Sequence, residues 1–163
     1  MHLKRSDLDT FDLAILDVLG VEGRISVTEL ASRVGLSKSP VQARLKRLEQ
    51  TGVITGYRAL IDPVRLNREH VAFVEVKLGD TREAALAAFN AAVRRVPEIE
   101  QCHMIAGDFD YLLKVRTSDM TTYREILGTR ISVLPHVAQT STFVAMQAIK
   151  DAAVAAATPG DPG

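Results

Sequence analysis

The chain has 163 residues, 47% of them hydrophobic and 25% charged, and its 20 basic and 20 acidic side chains cancel. This composition is typical of a globular protein with one medium domain or two small ones, and it excludes a disordered chain. The single cysteine, Cys102, excludes an internal disulfide, and the lack of both a ~20-residue apolar run and a signal-peptide core predicts a cytoplasmic protein with no membrane partner.

The first 52 residues are predicted to form a three-helix domain. The first helix covers about residues 9–19, with Asp9 as its N-terminal cap, and Gly20 and Gly23 are expected to end it. The inward face of this helix is predicted to consist of Leu8, Phe11, Ile15 and Leu19.

Two further short helices joined by a tight turn predict a helix-turn-helix. Ser26 caps the second helix, and Gly35 suits the turn because a positive φ is expected there. Ser37 caps the third helix, which runs over residues 38–50. The inward side chains of the two helices are predicted to be Val27, Leu30, Ala31 and Val34, followed by Val41, Leu45 and Leu48.

The third helix is the predicted reader of DNA, because a helix fits the major groove and its N-terminal residues reach base edges. Residues 37–58 contain five basic side chains and one acidic side chain, a local excess that residues 61–163 lack. The outward residues are assigned to bases (Ser37, Lys38, Ser39 and Gln42) or to phosphates (Arg44, Lys46 and Arg47). The alternative is a solvated amphipathic helix in an unrelated three-helix domain.

Residues 53–68 are predicted to form a linking strand and hinge. Residues 53–61 are rich in β-branched and aromatic side chains, and Asp62-Pro63 marks a turn. Arg58 in this segment either reaches the DNA backbone or is a plain surface charge.

Residues 69–150 show the order β-α-β-β-α-β, which predicts a ferredoxin-like domain and an overall α+β fold class. Thr81 is expected to cap the first helix of this domain, and Ser118 or Asp119 the second. Strands are expected at residues 70–78, 99–106, 111–116 and 137–148, and helices at residues 82–96 and from about 118 to 131. Residues 151–163 are expected to be a disordered tail.

Two helices on one face of a four-stranded sheet leave the other face uncovered. An open sheet face tends to pack against a partner, most simply a second copy of the same chain. The pattern therefore predicts a homodimer.

Several sequence segments are distinctive in combination: LDTFDLAIL at 8–16, ELASRVGLS at 29–37, RLKRLE at 44–49, GVITGY at 52–57 and GDFDYLLK at 107–114. Together they resemble the Lrp/AsnC (feast/famine, leucine-responsive) family of transcription regulators, and the similarity covers residues 7–150. One departure is Lys38, which stands where many members of the family have a proline.

The resemblance implies a sequence-specific regulator of amino-acid metabolism that binds an amino acid between C-terminal domains and forms dimers and often octamers. Asp108 or Asp110 is expected to receive the ligand ammonium group, although both also suit an ordinary hairpin turn. The implied effector positions are Gly107, Asp108, Phe109, Asp110, Gln139, Thr140 and Thr142.

The expected effector is a hydrophobic amino acid, leucine first and proline second. Residues 107–114 are closest to leucine-responsive regulators, whereas residues 38–44 are similar to activators of proline catabolism. A protein of this family is expected in the cytoplasm, associated with the nucleoid and in contact with double-stranded DNA.

Two other classes of function are alternatives to a regulator. An enzyme is not expected, because the chain shows no glycine-rich phosphate loop and no paired nucleophile and base. His103 with Asp108 and Asp110 is too small a set for a dedicated metal site. The main alternative is an architectural DNA-binding protein, which would share the N-terminal domain and respond to no amino acid.

Overall fold

The computed structural model describes residues 7–151. The chain divides into a helical unit that ends at Leu60 and an α+β unit that begins at Ile61. None of the helices within residues 7–151 is long and apolar enough to cross a membrane. Except for Asp151, the predicted disordered tail lies outside the described residues.

Three helices form the first unit: α1 (Thr10–Val21), α2 (Val27–Arg33) and α3 (Lys38–Gln50). Ser26 accepts a hydrogen bond from the Glu29 amide, and Gly35 has a φ of 70°, so the predicted cap and turn are both confirmed. The fully or nearly fully buried hydrophobic side chains among the described residues of this unit are Ile15, Leu30, Ala31, Val41 and Leu48.

Two details of the predicted α1 are wrong. The helix continues through Gly20 and ends at Val21, because an exposed glycine costs a helix only about 1 kcal/mol and does not stop it. Phe11 lies 41% exposed on the flank of α1 and not in the core, and the Arg44 guanidinium lies 5.6 Å from the centre of its ring.

The predicted linking strand is also absent. Residues 53–69 contain a 3-10 turn at Val64–Leu66, preceded by a hydrogen bond from the Val64 amide to Asp62 Oδ1, but no strand. A strand needs a neighbour for its backbone hydrogen bonds, and no described segment of the chain pairs with residues 53–61.

The second unit is an antiparallel sheet with two helical segments, and the predicted ferredoxin-like order is confirmed. Its strands are β1 (His70–Leu78), β2 (Ile99–Met104), β3 (Tyr111–Thr117) and β4 (Val137–Val144), arranged as β2-β3-β1-β4. Its helices are α4 (Glu83–Val93) and α5 (Met120–Ile126), and α5 continues as a π-helical turn at Leu127–Ile131. One face of the sheet packs on these helices and buries Val74, Val76, Leu113 and Val115 with Phe89 and Tyr123.

Several predicted boundaries in this unit were wrong. Arg82 occupies the cap position of α4 instead of Thr81, and α4 ends at Val93. β2 and β4 end at Met104 and Val144, before the predicted residues 106 and 148. Asp119, one of the two predicted caps of α5, accepts the Thr122 amide at 2.7 Å.

Candidate nucleic-acid interface and effector site

The core of the helical unit determines which face of α3 is outward. Val41 and Leu48 are fully buried and Leu45 is partly buried, so the opposite side of the helix lies in solvent. The exposed residues on or before α3 include the predicted base readers Ser37, Lys38, Ser39 and Gln42, together with Lys46 and Arg47. Ala43 is exposed on the same side and was not predicted.

One hydroxyl group and two ammonium groups on this surface are available for other contacts. Ser37 occupies the cap position of α3, yet its side chain makes no capping hydrogen bond. Within residues 7–151, neither Lys38 nor Lys46 belongs to any ion pair. These side chains can therefore contact DNA without breaking an interaction inside the unit.

Arg44 and Arg47, by contrast, are paired with the first turn of α1. Arg44 Nη1 lies 2.7 Å from a carboxylate oxygen of Asp9 and 2.7 Å from Asp12 Oδ1. Arg47 Nη2 is hydrogen-bonded to Asp12 Oδ2. The side chain of Arg44 is 25% exposed and that of Arg47 is 44% exposed, so Arg47 retains the more accessible charge.

The turn between β2 and β3 is tied to the end of β1. The Asp110 amide donates to the Val76 carbonyl at 2.9 Å, and the Asp110 carboxylate accepts the Leu78 amide at 2.7 Å. Gly107 in the same turn has no positive φ, and an added Cβ would meet only Ile105, at 3.6 Å. The backbone of the turn therefore does not itself require glycine at position 107.

A shallow pocket lies beside this turn, on the sheet face opposite the helices. It is lined by three of the predicted effector residues, Asp108, Phe109 and Gln139. The other three lining residues, Glu75, Lys77 and Ser141, were not predicted. Gln139 lies opposite Lys77, and Ser141 opposite Glu75, in the β1–β4 register, which explains why these four side chains share one face.

Thr140 and Thr142 lie on the other face of β4. They are paired with Val76 and Val74, whose side chains are buried under the helices, and the Thr142 hydroxyl is hydrogen-bonded to the Tyr123 hydroxyl. Successive strand residues point to opposite faces. The structure thus separates these two predicted effector residues from the pocket.

The sheet face that carries the pocket is partly apolar and partly charged. Phe73 and Phe143 are cross-strand neighbours and remain 37% and 54% exposed. Lys114 and Arg116 on the same face are nearly buried, and Asp151 pairs with both. Asp151, the first residue of the predicted tail, is therefore held against the sheet.

Both units match known protein families. Residues 8–55 match the winged helix-turn-helix DNA-binding family, and residues 71–155 match the Lrp/AsnC ligand-binding domain. The chain belongs to the Lrp/AsnC family. As an Lrp/AsnC protein, it is a transcription regulator with a DNA-binding domain and an amino-acid-binding domain.

Similarity to individual Lrp/AsnC proteins extends over most of the chain. The proline dehydrogenase transcriptional activator of Rhizobium radiobacter is 59% identical over 151 residues, which cover 93% of this chain and 97% of the relative. The leucine-responsive regulatory protein of Escherichia coli K12 is 46% identical over 144 residues, which cover 88% of each chain. A transcriptional regulator of Neisseria meningitidis, solved with L-methionine, is 34% identical with a TM-score of 0.82 and covers 88% of this chain and 93% of its own.

The Lrp/AsnC relatives are named as regulators and activators, not as enzymes. Within the part of the chain that the structure describes, no three His, Cys, Asp or Glu side chains come together as a metal site.

Proposed function

We propose that this Lrp/AsnC regulator binds L-proline and activates transcription of a proline dehydrogenase gene. The observation that carries the proposal is the identity of 59% with a proline dehydrogenase activator, against 46% with a leucine-responsive regulator. A gene whose product consumes proline is usefully switched on by proline. The proposal reverses the order expected from the sequence, in which leucine came first.

The charges of the pocket on the open sheet face support an amino-acid ligand. Lys77 is suited to bind the ligand carboxylate, and Glu75 or Asp108 is suited to accept hydrogen bonds from the ammonium group. The Phe109 ring offers an apolar surface to a pyrrolidine ring. A zwitterion with a small apolar side chain satisfies all three of these features.

The other expected effector residues have supporting parts in this proposal. Gln139 and Ser141 add hydrogen-bonding groups to the pocket, while Asp110 anchors the turn and Gly107 leaves room beside it. Thr140 and Thr142 take no part in ligand contact in this proposal and instead pack β4 against the helix side of the sheet.

The effector site is proposed to lie between the C-terminal domains of two chains. The pocket opens on the sheet face that also exposes Phe73 and Phe143, and burial of such apolar side chains is the usual driving force for association. We therefore propose a homodimer joined through this face and, in keeping with the family resemblance, an octamer built from four such dimers.

The DNA contacts are proposed to come from α3. Ser37, Lys38, Ser39 and Gln42 are assigned to base edges, with Gln42 suited to adenine. Lys46 and the exposed part of Arg47 are assigned to phosphates. Such a protein works on the chromosome, and we place it in the cytoplasm at the nucleoid.

Two measurements test the function. The first is thermal unfolding of the full chain with each of the twenty amino acids, where proline should give the largest increase in Tm. The second is binding to the promoter DNA of the proline dehydrogenase gene of the same genome, with and without proline. A Tm increase with leucine or methionine alone would contradict the proline assignment, and no response to any amino acid would favour the architectural alternative.

A further inference from the structure

The first turn of α1 carries a buried carboxylate that bonds to two arginines of α3. Asp12 is completely inaccessible to solvent, although its side chain is a charged group and not an apolar one. One of its oxygens lies 2.7 Å from Arg44 Nη1, and the other is hydrogen-bonded to Arg47 Nη2. A buried ion of this kind persists only when its partners stay in place.

The same carboxylate belongs to the cap of α1. Asp12 Oδ2 accepts the Asp9 amide at 3.1 Å, and Asp9 Oδ1 accepts the Asp12 amide at 2.9 Å, which is a reciprocal capping box. Burial acts to raise the pKa of Asp12, but hydrogen bonds from Arg44, the Asp9 amide and Arg47 outweigh it, so the pKa lies below its ordinary value. The carboxylates therefore stay charged, and the first turn of α1 and the middle of α3 form one ionic unit.

Arg44 is the residue most fully committed to this unit. Its hydrogen bonds within residues 7–151 all run from Nη1 to the carboxylates of Asp9 and Asp12, at 2.7–2.8 Å. Its guanidinium also lies over the ring of Phe11, another α1 residue. Turning this side chain towards a phosphate would break these contacts and leave Asp12 with one partner fewer in a buried position.

We infer that Arg44 is a positioning residue, which together with Asp9 and Asp12 holds α3 at a defined angle to α1 and makes no phosphate contact itself. The inference rests on the proposed function, in which α3 enters the major groove. It replaces the phosphate assignment that the sequence suggested for Arg44.

The consequence concerns sequence discrimination. Ser39 and Gln42 lie on the exposed side of α3, and base contacts tolerate displacements of only a fraction of an ångström. A small rotation of α3 against α1 would misplace these side chains at the base edges. Phosphate contacts from a flexible lysine such as Lys46 would adapt to the same rotation.

The test compares three variants of the full-length protein: Arg44→Gln, Arg44→Lys and the matched control Lys46→Gln. The probes are the duplex that the wild-type chain selects from a random-sequence pool and a scrambled duplex of the same composition. Affinity for each is measured by fluorescence anisotropy between 50 and 200 mM salt. Thermal unfolding of each variant shows that the protein is folded at the assay temperature.

For Arg44→Gln, the ratio of affinities for selected and scrambled DNA should fall about tenfold, which is the effect of losing roughly one base contact. A single mismatched base pair typically lowers the affinity for a specific site by about this factor or more. The slope of log affinity against log salt should equal that of the wild type. For Lys46→Gln, the slope should fall by about 0.9 for each chain bound, with the ratio nearly unchanged.

Arg44→Lys keeps the charge but on a shorter side chain, and lysine lacks the planar guanidinium that lies over the Phe11 ring. We therefore expect Arg44→Lys to lower the ratio of affinities for selected and scrambled DNA partly and to leave the salt slope unchanged. If Arg44 instead bound a phosphate, lysine could replace it, and both the ratio and the slope would stay at their wild-type values. A slope for Arg44→Gln reduced as much as that of Lys46→Gln would overturn the inference. A merely structural role would lower Tm and leave the ratio at its wild-type value, which would also overturn it.

Failure of the proposed function would look different. In that case the wild-type chain would select no duplex, or Lys46→Gln would leave the salt dependence unchanged, so α3 would not be the DNA-contacting helix.

Discussion

Replacing Lys77 by glutamine should weaken proline binding about 30-fold. Lys77 lies on the open face of β1, opposite Gln139, and among the described residues it is the only cation that lines the pocket. A hydrogen bond to a charged group contributes about 1.5–3 kcal/mol, and a loss of about 2 kcal/mol corresponds to about a 30-fold increase in Kd. Glutamine is one atom shorter than lysine, keeps a hydrogen-bond donor and removes the positive charge.

Thermal unfolding measures this loss directly. With proline at about 100 times the wild-type Kd, the ligand should stabilise the wild-type chain by about 2.7 kcal/mol and the variant by about 0.9 kcal/mol. For a unit of about 100 residues, this difference corresponds to a Tm increase that is smaller by about 7 °C.

The matched control is Thr140→Val. Thr140 was expected from the sequence to bind the effector, but it shares the buried face of the sheet with Val76. Valine is nearly isosteric with threonine and suits a strand, so proline should stabilise this variant as much as the wild type. A normal response of Lys77→Gln together with a lost response of Thr140→Val would refute the pocket and place the ligand on the helix side.

Three further outcomes are expected. Gln42→Ala should select a more degenerate duplex from a random pool while keeping the wild-type salt dependence, and an unchanged selected sequence would remove Gln42 from the base-reading set. The pKa values of Asp9 and Asp12 are lowered in the folded protein, so their stabilising effect is complete above the unfolded value of 3.8 and is lost as the pH falls below it. Urea unfolding between pH 5 and pH 2 should show this loss, which Asp12→Asn should reduce, and an equal pH dependence in that variant would contradict it. Leu48→Ala should destabilise the helical unit by about 2–5 kcal/mol in the same urea assay, because Leu48 is fully buried, and a loss below about 1 kcal/mol would mean that the core is not packed as described.

The order of elements follows from local patterns, whereas their exact extents depend on partners. Val74 and Val76 alternate with polar residues along β1, and this period of two predicts a strand with one buried face. Residues 53–61 carry equally good strand formers but find no partner strand within the described chain. Pairing is a property of two segments, so a single segment cannot reveal it.

The two candidate sites show the same contrast between what a local pattern predicts and what depends on neighbouring segments. The outward face of α3 follows from the spacing of Val41 and Leu48, both of which are buried as predicted. The lining of the proposed effector pocket was only partly predicted, because consecutive residues of β4 were assigned to one site although a strand turns alternate side chains to opposite faces. Applying that period to Gln139 would have pointed to Ser141 and, across the sheet, to Lys77.

The ion pairs of Arg44 and Arg47 change the electrostatic account of DNA binding. Two of the five basic residues in positions 37–58 are paired with carboxylates that lie more than 30 residues away in the sequence, so the local count overstates the free charge.

With Lys38 assigned to a base edge and Arg44 held by α1, Lys46 and the exposed part of Arg47 give one chain few phosphate contacts, fewer than the about 6–10 contacts of a protein whose binding falls steeply with salt. The proposed homodimer would add the contacts of a second chain on the same DNA molecule, and linked copies bind with a high effective concentration. An amino acid that binds between the C-terminal domains and changes their association would then control DNA affinity without touching α3.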